Sequence, residues 1–404
     1  MKLFFSVGEP SGDLHGANLI RELERKAGNV ETCGLGGPRM AEAGCHLLRD
    51  MTDLAIMGLV PALLKLPQFF KLLAQVEASL RAEQPDAVVL IDYPGFNWHV
   101  AKKAKALGIP VVYYGLPQLW AWLSYRVEKV RKYVDHPLCK LPFEADWFRS
   151  QGCAATYVGH PYFDELQSQE LDPQFLSQFK NSSQRIVTIL PGSRRSEVQR
   201  NFALQIRAAE IIHRQVPDVR FAVASYNEQQ AAMAAKILGN HDLPLSIIPK
   251  KTPELIHAAT CCLAVSGSVS LELLYHASPT VMQYNLAIPS YYIMKHLVRV
   301  QYMTLPNLIT TPELHPPRKQ KYQRGLAVHD HVLFPEYPHW RDCSEDVASH
   351  AIEWLTDEPA RQRHIGRLEQ LRSSLAIGGA SSRTADYILK SVLPQSVTPT
   401  ARAA

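Results

Sequence analysis

Asp92 closes a run of five apolar residues, AVVLI, and is followed by YPGFN, so a carboxylate stands where a buried strand gives way to a turn. In open α/β sheets that carboxyl edge is where ligands sit, and a carboxylate held there can remove the proton of an attacking hydroxyl. The alternative is a loop carboxylate that caps Asn97 or the following helix. A different chemistry is written in IVTILPGSRRSE, Ile186 to Glu197. The strand stops at Pro191-Gly192 and a helix opens near Ser193. A glycine turn lets backbone approach a ligand, a helix start offers N–H groups and partial positive charge, and Arg194 and Arg195 add full charges. Gly192, Ser193 and Arg194 are thus candidate phosphate ligands; the alternative is a turn whose arginines are merely solvated.

Further on, AVSGSVSLELL puts Ser266, Gly267 and Ser268 between a strand and a helix, with Glu272 in the first turns. A diphosphate on that helix start and ribose hydroxyls on Glu272 form one reading; an N-cap with an ordinary glutamate forms the other. Two such loops in one half shift the balance toward a nucleotide. The first strand-to-helix junction, SVGEPSGDLHGANL, is glycine-rich without being GxGxxG. Its Glu9 and Asp13 argue against pyrophosphate and for a loop that faces sugar or acceptor through Glu9, Ser11, Gly12 and Asp13, although Ser11 or Asp13 could equally cap the helix. In PQLWAWLSYR, Trp120 and Trp122 could stack on a sugar or pack as core, core packing being the safer reading. His160, in VGHPYFDEL, could reach an interdomain cleft. No D-x-D pair or His/Cys cluster suggests a metal.

These residues need a scaffold. Strands near Leu3–Val7, Glu31–Leu35, Ala87–Ile91, Pro110–Tyr114 and Asp135–Leu141 alternate with helical patterns in the first half. The second half repeats the plan from Ile186, with strands near 220–224, 246–249, 261–265 and 280–283. Such alternation predicts parallel sheets covered on both faces. Asp164–Ser183 is polar and reads as a linker, and the Pro-, His- and Lys-containing stretch after Asn307 reads as a long loop. At 404 residues and 46% hydrophobic content the chain can bury two ordinary cores. The charge of +5 is spread along the chain without the dense basic runs of a nucleic-acid arm. Seven cysteines lack metal or disulfide spacing and are expected to be reduced and mostly buried. The N-terminus opens directly on a strand with no secretory pattern.

With these blocks assembled, the chain resembles the lipid-A-disaccharide synthase family. The resemblance runs from Ser6 to about Asn307 and rests on SVGEPSGDLHGANL, GLGGPRMAEAGC, LAIMGLV, IDYPGFN, PQLWAW, LPFEADWF, VGHP, LPGSRRSEV, SGSVSLE and YMTLPNLI, in that order. It implies two Rossmann-like doubly wound α/β domains facing a cleft (GT-B type): 1–170 on the acceptor and membrane side, 184–375 on the UDP-sugar side, and 376–404 as a C-terminal helix and mobile tail. It also implies an inverting glycosyl transfer from UDP-diacylglucosamine to diacylglucosamine 1-phosphate, with no metal or organic cofactor. Carried over, Asp92, Glu9 and Asn307 serve catalysis, Arg194 the phosphates and Glu272 the ribose. Gly95, Leu123 and SGSVSLE depart from the family's usual residues. Past Asn307, Pro312-Glu313 and Pro335-Glu336 compete for one short family segment.

An isomerase such as a UDP-sugar 2-epimerase and a silent lipid- or nucleotide-binding protein are the alternatives. The apolar stretch around Leu59, Val60, Leu63, Leu64 and Phe70 favours the transferase, because a greasy rim beside Lys65 and Lys71 suits a peripheral position on the cytoplasmic face of the inner membrane. Burial or a subunit contact is the other reading of those five residues. Pro61, Lys65, Pro67 and Lys71 interrupt the segment below the roughly 20 apolar residues of a membrane span. A homodimer is left open, and no nucleic-acid partner is expected.

Overall fold

The computed structural model describes residues 1–51, 66–180, 184–265 and 267–392. The whole LAIMGLV block with Leu59 and Val60, then Leu63, Leu64 and Lys65, Ser266 and the last twelve residues lie outside the described residues. The chain divides into two compact units, Met1–Asp164 with Gly378–Ala404, and Glu165–Ile377.

The first unit is built on seven parallel strands: β1 (Lys2–Val7), β2 (Glu31–Gly36), β3 (His46–Asp50), β4 (Ala87–Ile91), β5 (Val111–Tyr114), β6 (His136–Cys139) and β7 (Thr156–Tyr157), in the order β3-β2-β1-β4-β5-β6-β7. KLFFSV, AVVLI and VVYY are near-continuous apolar runs because helices cover both faces, and β4 and β5 are buried throughout. Near the end of the described chain, the Ala380–Tyr387 helix returns to this unit. Asp164 accepts from the N–H groups of Gly379, Ala380 and Ser381 at 2.6, 3.0 and 2.9 Å. Lys26 pairs with Asp386 at 2.7 Å, and Ala385, Ile388 and Val392 join the core of Leu3, Phe5 and Val89.

The second unit carries six parallel strands, β8 (Ile186–Leu190), β9 (Arg220–Ser225), β10 (Leu245–Pro249), β11 (Cys261–Ala264), β12 (Thr280–Asn285) and β13 (Glu336–His339), in the order β10-β9-β8-β11-β12-β13. Its core gathers Ile189, Phe202, Ile206 and Phe221 with Val347 and Trp354. One reading needs correction. The described part of the polar stretch Asp164–Ser183 carries helices, Tyr162–Ser168 and Pro173–Lys180. The long-loop reading after Asn307 holds: residues 311–326 form no helix or strand, and they connect the short helix Leu305–Thr310 toward β13, which enters the sheet at Glu336. Pro335-Glu336 therefore opens a strand, while Pro312-Glu313 stays in the intervening stretch. All seven cysteines are free thiols and six are buried. Among the described residues no helix is long and apolar enough to cross a membrane.

Candidate active site

In the first sheet β1 and β4 are neighbours whose onward connections run to opposite sides, the switch point at which a crevice opens beyond the strand ends. Asp92 and Tyr93 stand there with φ of 45° and 43°, a left-handed pair that costs roughly 1–3 kcal/mol per residue for non-glycine side chains. Buried polar groups hold it in place. Asn97 Nδ2 donates to the Asp92 carbonyl at 2.8 Å, the Tyr113 hydroxyl donates to the same oxygen at 2.7 Å, and Ser6 Oγ fixes Asn97 by donating to Oδ1 at 2.7 Å. The backbone of Asp92, and not its carboxylate, is what Asn97 engages.

The carboxylate meets Lys140 instead, with Nζ to Oδ1 at 2.9 Å and about a quarter or less of each side chain exposed. Oδ2 has no hydrogen-bond partner among the described residues. Gly115, at φ 77°, makes room for this lysine, since a Cβ there would lie 2.9 Å from Lys140 Cε. Burial pushes the Lys140 ammonium toward neutrality, but the Asp92 carboxylate outweighs it and the pKa is raised; Glu144 and Glu9 add in the same sense. Glu9 itself is exposed at the head of the Pro10–Ala27 helix. Burial raises the Glu144 carboxyl, which accepts from Trp120 Nε1 at 3.0 Å and from the Leu141 N–H at 3.0 Å. His160 is held well below its ordinary range by burial and then by Lys140, and it accepts the Tyr162 N–H at 3.2 Å.

Other expected site residues have different duties. Asp13 is 2% exposed, and its carboxylate accepts from the N–H groups of Gly37, Arg39 and Met40 at 2.8, 3.0 and 3.1 Å. It caps the Pro38–Glu42 helix, which gives the carboxylate a structural duty beside the substrate-facing one expected from the sequence. Gly12 is buried with Val7 Cγ1 only 2.8 Å from where its Cβ would be, so it serves the close packing of helix on strand; Ser11 is exposed. Asn307 is fully buried, and its amide accepts from the N–H groups of Leu333 and Phe334 and donates to the Phe334 carbonyl. That amide ties β13's approach to the Leu305–Thr310 helix, a structural duty beside the catalytic one expected from the sequence. Trp120 is core at 1% exposure, whereas Trp122 is 49% exposed.

The second sheet repeats the switch point, now between β8 and β11. The loop after β8 turns at Gly192, φ 115°, where a Cβ would lie 2.5 Å from Glu197 Cβ. Glu197 Oε2 accepts from the N–H groups of Ser193 and Arg194 at 3.0 and 3.1 Å. The expected unpaired N–H groups are therefore filled, because the glutamate three residues into the Arg195–Gln215 helix folds back over the turn. Gln230 Nε2 donates to the Ser193 carbonyl. What remain for an anion are the side chains of Arg194, 59% exposed and 3.4 Å from Glu197, and of the exposed Arg195. After β11, Gly267 and Ser268 are exposed with open space at Gly267, and Glu272 is buried at 6% exposure in the Val269–Tyr275 helix. Among the described residues no group of three His, Cys, Asp or Glu could hold a metal ion.

Compared with known proteins, residues 3–328 match the family described as lipid-A-disaccharide synthetase. The chain belongs to the lipid-A-disaccharide synthase family. Its relatives so named include those of Trichlorobacter lovleyi, 32% identical over 97% of both chains, and Nitrosococcus oceani, 35% identical over 92% of both. Another, from Pseudomonas putida, is 36% identical over 77% of this chain and 83% of its own. As a lipid-A-disaccharide synthase the chain is a glycosyltransferase. Among solved structures it is similar in fold to a putative UDP-N-acetylglucosamine 2-epimerase from Listeria monocytogenes, with TM-score 0.64, 13% identity and coverage of 96% of this chain and 95% of that one. The kitacinnamycin glycosyltransferase gives a TM-score of 0.59 at 15% identity, covering 97% and 99%. Epimerases and transferases thus share this architecture, and the sequence relatives decide between them.

Lys140 escaped the sequence reading, as did Gly115 and Glu144. A lysine directly after the apolar strand end HPLC was the available signal, and it was masked by the LPFE block that follows.

Proposed function

We propose that the chain transfers diacylglucosamine from its UDP donor to the 6-hydroxyl of diacylglucosamine 1-phosphate with inversion, giving a β-1,6-linked disaccharide and UDP. The observation that carries this reading is the Asp92–Lys140 pair: Lys140 holds one carboxylate oxygen and leaves Oδ2 for an incoming hydroxyl. Asp92 takes the hydroxyl proton, the acceptor oxygen bonds to the donor's anomeric carbon, and the bond from that carbon to the diphosphate breaks with its electron pair on the departing UDP. Arg194, Ser268 and Glu272 receive the UDP moiety, with Arg194 stabilising the diphosphate charge, and Glu9 orients the acceptor's hydroxyls. The enzyme works as a peripheral protein on the cytoplasmic face of the inner membrane, a reading supported by its lipid substrates and by Phe70, 59% exposed beside Lys71.

The test is Asp92→Asn. Turnover should fall by about 10²–10⁴-fold, the range of a general base, with UDP affinity and the circular dichroism spectrum unchanged. Near-normal turnover in the folded variant would remove Asp92 from this role.

A further inference from the structure

The second unit holds a groove of ≈ 670 Å³ that the reaction above leaves unused. One wall is the Ile288–Leu297 helix, which contributes Tyr291 and Met294, with Val298 just beyond it. The other is Lys319–Arg324, part of the stretch that separates the Leu305–Thr310 helix from β13. The floor is apolar: Leu286, Val300 and Tyr302 are 7, 5 and 2% exposed. The helix is rich in apolar residues yet buries none of its ten, and Ile288, Tyr292, Ile293 and Leu297 are each at least half exposed. Those four lie outside the groove's lining, to which the helix gives Tyr291, Met294 and Lys295; the recess itself, floored by buried apolar side chains, suits an apolar ligand.

The groove is constructed and not a gap left by poor packing. Lys319 Nζ donates to the carbonyls of Lys295, at 3.2 Å, and Val298, capping the helix end. Lys321 Nζ lies 2.8 Å from His339 Nε2 and 5.6 Å from the Tyr291 ring centroid. Two lysines thus pin the second wall to the first and to the sheet. Asn285, next to the floor residue Leu286, is tied to the phosphate loop's helix. The Asn285 N–H donates to Asn201 Oδ1 at 2.6 Å, and Asn285 Nδ2 donates to the Arg200 carbonyl at 3.2 Å. Tyr284, one residue earlier, lies within the electrostatic reach of Glu197, Arg194 and Arg200.

We infer that this groove receives one acyl chain of the diacylated UDP donor. The inference rests on UDP binding to the second unit. A diphosphate beside Arg194 sets the glucosamine along the carboxyl edge of the sheet, from β8 toward β12, and the acyl groups on that sugar then meet the nearest apolar recess on the same edge. An acyl chain matches a floor of aliphatic and aromatic carbon enclosed by two polar-rimmed walls, and its carbonyl end stays near the lysine and glutamine side chains of the rim. The segment 319–324 then acts as a selector of chain length.

The experiment compares long-chain and short-chain diacylated UDP-glucosamines on Met294→Trp and Val298→Trp, which fill the groove. Expected is a drop of about tenfold or more in kcat/KM for the long-chain donor, equivalent to roughly two lost methylene contacts, with less than about twofold for the short-chain donor. UDP affinity should match the parent. Equal losses on both donors, no loss on either, or loss of vesicle sedimentation with unchanged chain-length preference would overturn the proposal, the last result assigning the face to the membrane. If the tryptophan variants misfold, Met294→Ala takes their place: it widens the groove and should shift preference toward longer chains, and an unshifted preference overturns the proposal. Arg194→Ala separates the two readings. Unaltered UDP affinity in that variant defeats the placement of the donor, whereas reduced affinity with unmoved chain preference in the groove variants defeats the groove alone.

Discussion

Asp92 bears two costs, a left-handed backbone and a partly desolvated charge, and Lys140 offsets the second. Removing one member should therefore hurt more than removing both. Asp92→Ala is expected to destabilise the first unit by about 1–2 kcal/mol, less than for a fully buried pair because the side chains retain 26 and 20% exposure. Adding Lys140→Met should recover most of that loss, and urea unfolding of the two single variants and the double variant measures the coupling. Additive losses would mean that the contact does not stabilise the fold. Asp92 was visible in the sequence because its position after AVVLI is itself the signal. Asp13 and Asn307 were not separable from ligands, since a carboxylate or amide that satisfies buried backbone looks the same in sequence as one awaiting substrate. Only the partners reveal the structural duty: three N–H groups for Asp13, and Leu333 and Phe334 for Asn307.

Among the elements, the Pro38–Glu42 helix is too short to stand alone and depends on the Asp13 carboxylate at its start. Asp13→Ala should cost about 2–3 kcal/mol, because buried N–H groups lose their acceptor, and leave UDP affinity unchanged. A thermal melt together with UDP calorimetry checks both parts; a normal melt with weakened substrate binding would favour the ligand reading. The apolar runs of β1, β4, β5, β8 and β11 made the doubly wound plan legible. β3, β7 and β13 were not found for definite reasons. β3, HLLRD, is exposed or half-buried along its length and lacks an apolar run, β7 has two residues, and β13 contains Pro338, which suits an edge position. The Pro142–Ser150 helix is short, and its pattern fades beside stronger neighbours, whereas Ala380–Tyr387 falls within the stretch 376–404 where a C-terminal helix is expected.

For the molecule as a whole, buried titratable groups in the second unit set how it tolerates acid. Burial pushes His350 down to about 3 and His364 to about 4, so the unfolded chain takes protons near pH 6.5 that the folded chain refuses. Their contribution is complete above pH 6.5 and is lost as pH falls toward 4, roughly 3 kcal/mol for each. Glu336 has the opposite sign: burial lifts its carboxyl to about 7, so its contribution is complete below about pH 4.5 and lost as pH rises through 7. Two histidines outweigh one carboxyl, and the expected net effect is loss of stability on acidification. Urea midpoints across pH should flatten on the acid side in His364→Gln and on the neutral side in Glu336→Gln, and unchanged slopes would contradict this account. The return of Ala380–Tyr387 to the first unit carries a consequence for biosynthesis. A ribosome delivers the Pro10–Ala27 helix long before the Ala380–Tyr387 helix that packs on it, so the first unit's core is completed only after the whole of the second unit has emerged. The second unit, contiguous from Glu165 to Ile377, can close while its predecessor still waits. During that interval the apolar flank destined for Ala385, Ile388 and Val392 stays uncovered, and the pace of synthesis beyond Ile377 governs how long it does so.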